Sequence, residues 1–171
     1  MYTAAVITVS DKGYAGQRED KSGPGLRDRL AGLGLEVVSL SIVPDDQAQI
    51  AAALCELADE RGVDLVVTTG GTGAAPRDVT PEATLSVIER EMPGLAELLR
   101  WEGSKRTPLA ALSRGVAGIR KRTLIINLAG SPKAVRLTDA DGDGLDDDGK
   151  VQLDVDGASA CLTLPATGED T

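Results

Sequence analysis

The sequence predicts an α/β fold, a parallel or mixed sheet with helices covering both faces. Three observations carry this prediction. Short β-branched runs alternate with longer amphipathic segments, in the order strand-helix-strand-helix-strand-helix. Polar turn residues follow each apolar run. The stretch from Asp64 to Thr84, DLVVTTGGTGAAPRDVTPEAT, reads as a buried strand, a glycine-rich turn, a carboxylate and a helix start.

Residues 3–9, TAAVITV, read as a first buried strand, and Ser10 to Lys21 as a polar loop. Ser22 is placed to cap a helix over 23–33, with Leu26, Leu30 and Leu33 on one face. Residues 35–43 alternate well enough for a second strand, and Pro44-Asp45-Asp46 makes a turn and cap. A helix over 47–61 turns Ile50, Ala53, Leu54, Leu57 and Ala58 inward. The third strand, 64–69, is built on Leu65, Val66 and Val67. After the glycines, Thr80 reads as an N-cap and Pro81 as the first-turn residue of a helix over 81–90. Met92-Pro93-Gly94 breaks that helix, Leu95 to Trp101 forms another, and Thr107-Pro108 opens a third. Val116–Ile119 and Thr123–Leu128 are two further strands, separated by Arg120-Lys121-Arg122, which reads as a solvated turn. Ala129-Gly130-Ser131-Pro132 is a second small-residue turn after a strand.

Composition limits the chemistry. The 171 residues suffice for one domain with a sizeable core, and with no Phe, one Trp and two Tyr that core must be aliphatic. The absence of His removes the commonest general base and the commonest transition-metal ligand. Cys55 and Cys161 stand far apart, with no zinc-type spacing and no disulfide framework. Cys55, beside Leu54, reads as a small core residue, and Trp101 as packing against the body or a subunit. Residues 137–171 hold ten acids and one base and so carry the whole net charge of −9, whereas residues 1–136 hold 17 of each. No basic stripe interleaved with aromatics points to nucleic acid. Nothing resembles a signal peptide or a membrane span, so a soluble cytoplasmic protein is expected.

Ser10-Asp11, Pro44-Asp45-Asp46 and Gly70 to Asp78 all follow strands, and in a parallel sheet such loops lie on one edge. The Ala129 to Lys133 turn would join them. Asp11, Asp45 and Asp78 would then stand near bare backbone donors and the bases Lys12, Arg77 and Lys133. Gly70, Gly71 and Gly73 allow backbone N–H groups to approach an anion closely. Carboxylates beside such a loop suit Mg²⁺-nucleotide chemistry, because magnesium bridges one or two carboxylates to phosphate oxygens. Plainer readings stand beside these. Gly-Gly after a strand also makes a simple tight turn, and Asp45, Asp46 and Asp78 are all good helix caps.

The assembled blocks are more specific than any one of them. VSD at 9–11, KSGPGL at 21–26, VPDD at 43–46, TTGGTGAAPRDVTPEAT at 68–84, EMPGLAELLR at 91–100 and TPLAALSRGVAGIRKRTLIINLAGSPKAV at 107–135 resemble the molybdopterin adenylyltransferase family of molybdenum cofactor biosynthesis. The resemblance implies a three-layer α/β/α domain with a mostly parallel mixed sheet, assembled as a homotrimer. It implies Mg²⁺-dependent transfer of the adenylyl group of ATP to the molybdopterin phosphate, with release of pyrophosphate, ahead of a molybdate-insertion enzyme. Carried over by position, Asp45 and Asp78 hold magnesium and serve catalysis. Gly70, Gly71, Thr72 and Gly73 match the phosphate loop, and Ser10 and Asp11 the first loop. Ser113 and Arg114, in the LSR segment, suit anchoring of anionic substrate. Ser131, Pro132 and Lys133 match the turn after the last strand, and Glu102 a pocket-side acid. A member that binds molybdopterin or nucleotide without turnover is the alternative.

Two departures from the family pattern stand out. Some relatives carry serine directly after the matching glutamate, where this chain has Gly103 and then Ser104. A long amphipathic helix usually follows the SPKAV block. Here six aspartates and three glycines within residues 139–149 preclude it. The division expected is therefore a catalytic domain over 1–136 and an acidic, disordered tail over 137–171. Asp139, Asp141, Asp143 and Gly144 open like a calcium loop, but Lys150 occupies its twelfth position. A calcium-dependent module and a change of reading frame near Arg136 remain alternatives for this segment.

Overall fold

The computed structural model describes residues 1–130, 137–138, 150–155 and 158–163. Strand β1 (Thr3–Val9) is almost wholly buried and central; the short helix α1 (Asp11–Tyr14) follows it. Then come α2 (Ser22–Gly32), β2 (Glu36–Val43), α3 (Gln47–Cys55), β3 (Leu65–Thr69) and α4 (Thr80–Leu85). The rest of the main sheet is β4 (Arg90–Glu91), β5 (Ala117–Arg120) and β6 (Thr123–Leu128), with α5 (Pro93–Ser104) and a 3₁₀ turn (Pro108–Leu112) between.

The six strands are ordered β2-β1-β3-β6-β5-β4. The first four run parallel, and β5 and β4 are antiparallel additions at one end. This is the expected mixed, mostly parallel sheet with helices on both faces. One register row, Val6 beside Val67, Val67 beside Ile126 and Ile126 beside Ala117, packs with Leu26 and Leu30 of α2, with Leu33 just after it, and with Leu95 and Leu99 of α5. The opposite face, through Ile7, Val66 and Ile125, packs on Ile50 and Leu54 of α3 and on Ala83 and Val87. Fully burying each such aliphatic side chain stabilises the fold by roughly 1.5–3 kcal/mol. Cys55 packs against this second cluster, as a small core residue should.

Several local expectations are corrected. Ser22 opens α2 but does not cap it. The Asp20 carboxylate accepts from the N–H groups of Ser22 and Gly23, both at 3.0 Å. The helix expected over 47–61 changes character at Glu56, where one wider π-helical turn runs to Glu60. Thr80 is the first residue of α4, not its cap, and is fully buried. That helix stops at Leu85 because Glu89 N–H donates to Ile119 O at 2.8 Å, drawing the chain into the sheet. Pro93 sits in the first turn of α5, where its missing N–H costs nothing. Arg120 is not part of a solvated turn. It ends β5 and pairs through two nitrogens with Asp59, at 2.9 and 2.6 Å. Trp101 is only partly covered by the body, 59% exposed, with Lys105 Nζ lying 3.8 Å from its ring centroid; its other expected contact, a subunit, lies outside a single chain.

Within the acidic segment the described residues are β7 (Leu137–Thr138), β8 (Lys150–Val155) and β9 (Ala158–Thr163), which pair as an antiparallel sheet; the rest of the expected disordered tail lies outside the described residues. KVQLDV alternates apolar and polar residues, and Asp156-Gly157 in the sequence is a favoured hairpin dipeptide. The acid count masked that alternation. β7 lies beside α2 and β8 beside α5. The calcium-like stretch 139–149 lies outside the described residues. Among the described residues, no helix is long and apolar enough to cross a membrane.

Candidate functional site

The chain reverses its direction of winding between β1 and β3, since β1 crosses to β2 on one side and β2 returns to β3 on the other. A crevice forms at such a switch point, outside the carboxyl ends of the strands. Here the loops after β1, β2, β3 and β6 meet. Gly70 N–H donates to Leu128 O at 3.1 Å, and Thr69 Oγ1 to Ala129 O at 3.1 Å. Gly70 has φ +104°, and a Cβ there would lie 2.4 Å from Val9 O. A Cβ on Gly130 would lie 3.0 Å from Gly70 Cα. Three strand ends touch with no room for side chains, so backbone lines the floor.

A cavity of about 540 Å³ opens over this floor, lined among others by Thr8, Ser10, Lys21, Ser22, Thr69 and Gly70. Asp20 organises its wall, accepting from Thr8 Oγ1 at 2.7 Å while capping α2. Ser22 Oγ donates to Gly130 O at 3.3 Å, which ties the α2 start to the β6 turn.

The carboxylates stand on the other flank. Asp11 N–H donates to Asp45 Oδ2 at 2.9 Å, and Asp45 N–H to Asp11 Oδ1 at 2.8 Å. Arg77 reaches across from the third loop to both, contacting Asp11 Oδ2 and lying 3.1 Å from Asp45 Oδ2. The capping alternative belongs to the neighbouring residue, since Asp46 accepts from Gln49 N–H at 2.9 Å and Asp45 is left to face the loop. Gly71, at φ +64°, provides the space, because a Cβ there would lie 3.4 Å from Asp45 Oδ1 and 2.3 Å from Thr80 Oγ1. Asp78 Oδ2 accepts from Ala75 N–H at 2.9 Å, and a Cβ on Gly73 would lie 2.7 Å from that oxygen. The glycines thus form a cradle between two carboxylates.

A buried polar chain fixes this loop to the sheet. Thr80 Oγ1 donates to Gly70 O at 2.9 Å, and Thr84 Oγ1 to Thr80 O at 2.9 Å. Asn127 Nδ2 donates to Thr84 Oγ1 and Thr68 Oγ1, both at 3.0 Å.

Residues 5–139 match the family model described as "Probable molybdopterin binding domain". The chain belongs to this family. It is 46% identical over 135 residues to the molybdopterin adenylyltransferase of Escherichia coli K12, covering 78% of this chain and 69% of that one. With the enzyme of the same name from Haemophilus influenzae it shares 47% over 135 residues, 78% of this chain and 68% of the other. The crystal structure of the molybdopterin biosynthesis enzyme MoaB from Thermus thermophilus superposes with a TM-score of 0.75 at 54% identity, covering 80% of this chain and 86% of that chain.

In this molybdopterin-binding-domain chain most of the expected residues converge. Ser10 Oγ caps α1 by accepting from Gly13 N–H at 3.1 Å. Thr72 is buried, its carbonyl accepts from Arg114 N–H at 2.8 Å, and Ser113 Oγ lies 3.5 Å from its hydroxyl. The Arg114 guanidinium reaches Gly73 O at 2.7 Å, Asp78 O and the Glu82 carboxylate. It holds the Glu82 carboxyl below its ordinary value. Glu102 is fully buried on α5, and its Oε1 accepts from Lys105 Nζ at 2.7 Å. Ser131, Pro132 and Lys133 lie outside the described residues. Sequence reasoning missed Thr8, Asp20 and Glu82. The pair Asp20 and Ser22 did carry a signal, an aspartate two residues before a helix start.

Among the described residues, no three acidic or cysteine side chains gather to hold a metal unaided. Magnesium needs no all-protein cage, since it keeps its waters and takes one or two carboxylates together with substrate phosphates. Asp45 and Asp78, flanking a cradle that any Cβ would fill, fit that requirement.

Proposed function

We propose that this chain is a molybdopterin adenylyltransferase, joining the phosphate of molybdopterin to the adenylyl group of ATP and releasing pyrophosphate. The observation that carries the reading is the side-chain-free cradle of Gly70, Gly71 and Gly73 held between Asp45 and Asp78. It occurs in a chain 46% identical to a curated enzyme of that name.

The chemistry asks for two anions to meet. The second pKa of a phosphate monoester is about 6, so the nucleophile is mostly ionised at neutral pH and needs no strong base. That agrees with a chain lacking histidine. A phosphate oxygen of molybdopterin attacks the α-phosphorus of ATP, and the bond to the bridging oxygen of pyrophosphate breaks. The backbone N–H groups of the glycine loop beyond Gly70, whose own N–H is held by Leu128 O, orient the phosphates, and the cavity over Gly70 encloses bound substrate. Asp45 and Asp78 would hold magnesium, which when bound neutralises phosphate charge. Arg77 supplies a further cation on the same flank. We take the assembly to be a homotrimer in the cytoplasm, whose adenylated product passes to a molybdate-inserting enzyme.

The test is direct. Purified protein with molybdopterin, ATP and Mg²⁺ is expected to release pyrophosphate and form a product heavier by one adenylyl group. EDTA should stop the reaction and excess Mg²⁺ restore it. A folded sample that binds both substrates but releases no pyrophosphate would instead be a binding protein.

A further inference from the structure

Arg114 falls in a segment suited to holding anionic substrate, yet its guanidinium is directed at the protein. Nε donates to Gly73 O at 2.7 Å, Nη2 to Asp78 O, and Nη1 to the Glu82 carboxylate. The Arg114 N–H adds a bond to Thr72 O at 2.8 Å. Gly73 and Asp78 are the two ends of one loop. Inside it, Asp78 N–H donates to Ala75 O at 2.9 Å, and Asp78 Oδ2 accepts from Ala75 N–H at 2.9 Å. A single planar fork therefore grips both ends of the loop that carries Asp78, and Glu82, on the first turn of α4, anchors the fork.

We propose that Arg114, oriented by Glu82, is a positioning residue that straps the 73–78 loop and sets the Asp78 carboxylate, rather than an anchor for substrate. Three features favour this. All three branches of the guanidinium point to protein acceptors. Two of those acceptors, Gly73 O and Asp78 O, are the backbone at the two ends of the loop that carries the Asp78 carboxylate. A lysine could not reproduce the fork, because an ammonium is a point charge without fixed geometry. A strap of this kind acts through Asp78, so its loss should lower turnover more than substrate affinity.

The effect on turnover rests on the proposed adenylyl transfer; the strap itself does not, and the experiment separates them. In protein without substrates, hydrogen exchange at the Ala75 and Asp78 amides is followed in wild type, Arg114→Lys and Glu82→Gln. Exchange should quicken at least about tenfold in Arg114→Lys while the β3 amides keep wild-type rates. Unchanged loop exchange would overturn the strap, whatever the activity. In turnover, Arg114→Lys should lose about 10–100-fold in kcat, with KM for both substrates moving less than about threefold. Asp78→Asn/Arg114→Lys should be no slower than Asp78→Asn alone. A rise in KM at constant kcat, or additive losses in the double variant, would make Arg114 a substrate anchor and overturn the proposal. If the wild type shows no transfer at all, the proposed function fails and the exchange result still decides the strap.

Discussion

Asp11 and Asp45 each accept the other's backbone N–H, at 2.8 and 2.9 Å, so the loops after β1 and β2 are bonded through the carboxylates that face the site. Each side chain spends one oxygen on this exchange; Arg77 contacts the other oxygen of Asp11 and the same Oδ2 of Asp45, which leaves Asp45 Oδ1 toward the glycine loop. The arrangement places two negative charges side by side before any ligand arrives.

Asp45→Asn tests what that charge is for. It keeps the shape and an acceptor oxygen, but the Asp45 side chain is only 9% exposed and accepts from both Asp11 N–H and Arg77, so the weakened charge-assisted bonds should cost about 1–3 kcal/mol of unfolding free energy. Adenylyl transfer should fall by about 10²-fold or more, as expected for lost electrostatic stabilisation. Turnover within a few-fold of wild type would remove Asp45 from the reaction.

Gly70→Ala probes the close approach of strand ends. The new Cβ would meet Val9 O at 2.4 Å from a backbone at φ +104°. Left-handed strain and overpacking together should destabilise the fold by roughly 2–5 kcal/mol in urea titration. A variant as stable as wild type would show that the floor is not as tight as the geometry demands.

Asn127→Ala removes the head of the buried polar chain. The hydroxyls of Thr68 and Thr84 lose their shared donor. Leaving such groups unpaired should cost about 2–3 kcal/mol. Calorimetry would check this, and a loss below about 0.5 kcal/mol would mean water replaces the amide.

Much of this was legible in the sequence because it is written in local pattern. Thr3–Val9 and Leu65–Thr69 announce themselves by β-branched runs, and the loops after them must share an edge once the sheet is parallel. What escaped was long-range pairing. Thr80 looks like a cap, but its hydroxyl finds Gly70 O across the loop and its backbone joins the helix. Arg120 looks like part of a charged turn until Asp59 meets it from 61 residues away. Glu82 gains meaning only once Arg114 is folded beside it. The strand Lys150–Val155 was hidden for a different reason: surrounding acids outweighed a clean alternation.

The Asp59–Arg120 pair should set part of the acid response. The hydrogen bonds that Arg120 donates lower the Asp59 pKa below its ordinary 3.8, and the carboxylate that accepts them raises the already high Arg120 value. A lowered carboxylate pKa adds stability that is fully present above the ordinary value and is lost as pH falls through the folded one. The stability gap between wild type and Asp59→Asn should therefore hold constant near neutral pH and close below 3.8. A gap unchanged down to about pH 2 would mean that charge is not its cause.

Removing residues 137–171 tests the second sheet. With β7 beside α2 and β8 beside α5, truncation after Arg136 uncovers surface next to both helices. The melting temperature should drop by at least about 4 °C, the equivalent of roughly 1 kcal/mol or more, and binding of an apolar dye should rise. An unchanged melting temperature would show that the main sheet stands without it.

The exposed Trp101 decides how such experiments can be read. It is the sole tryptophan of a chain without phenylalanine, and it sits in solvent under Lys105 on α5. Its emission will already resemble that of the unfolded chain, so intrinsic fluorescence is nearly blind to melting of the aliphatic core. The same isolation makes it a clean local reporter. A change in its emission on adding substrate or subunits would arise at α5 alone, against a background that two tyrosines barely disturb.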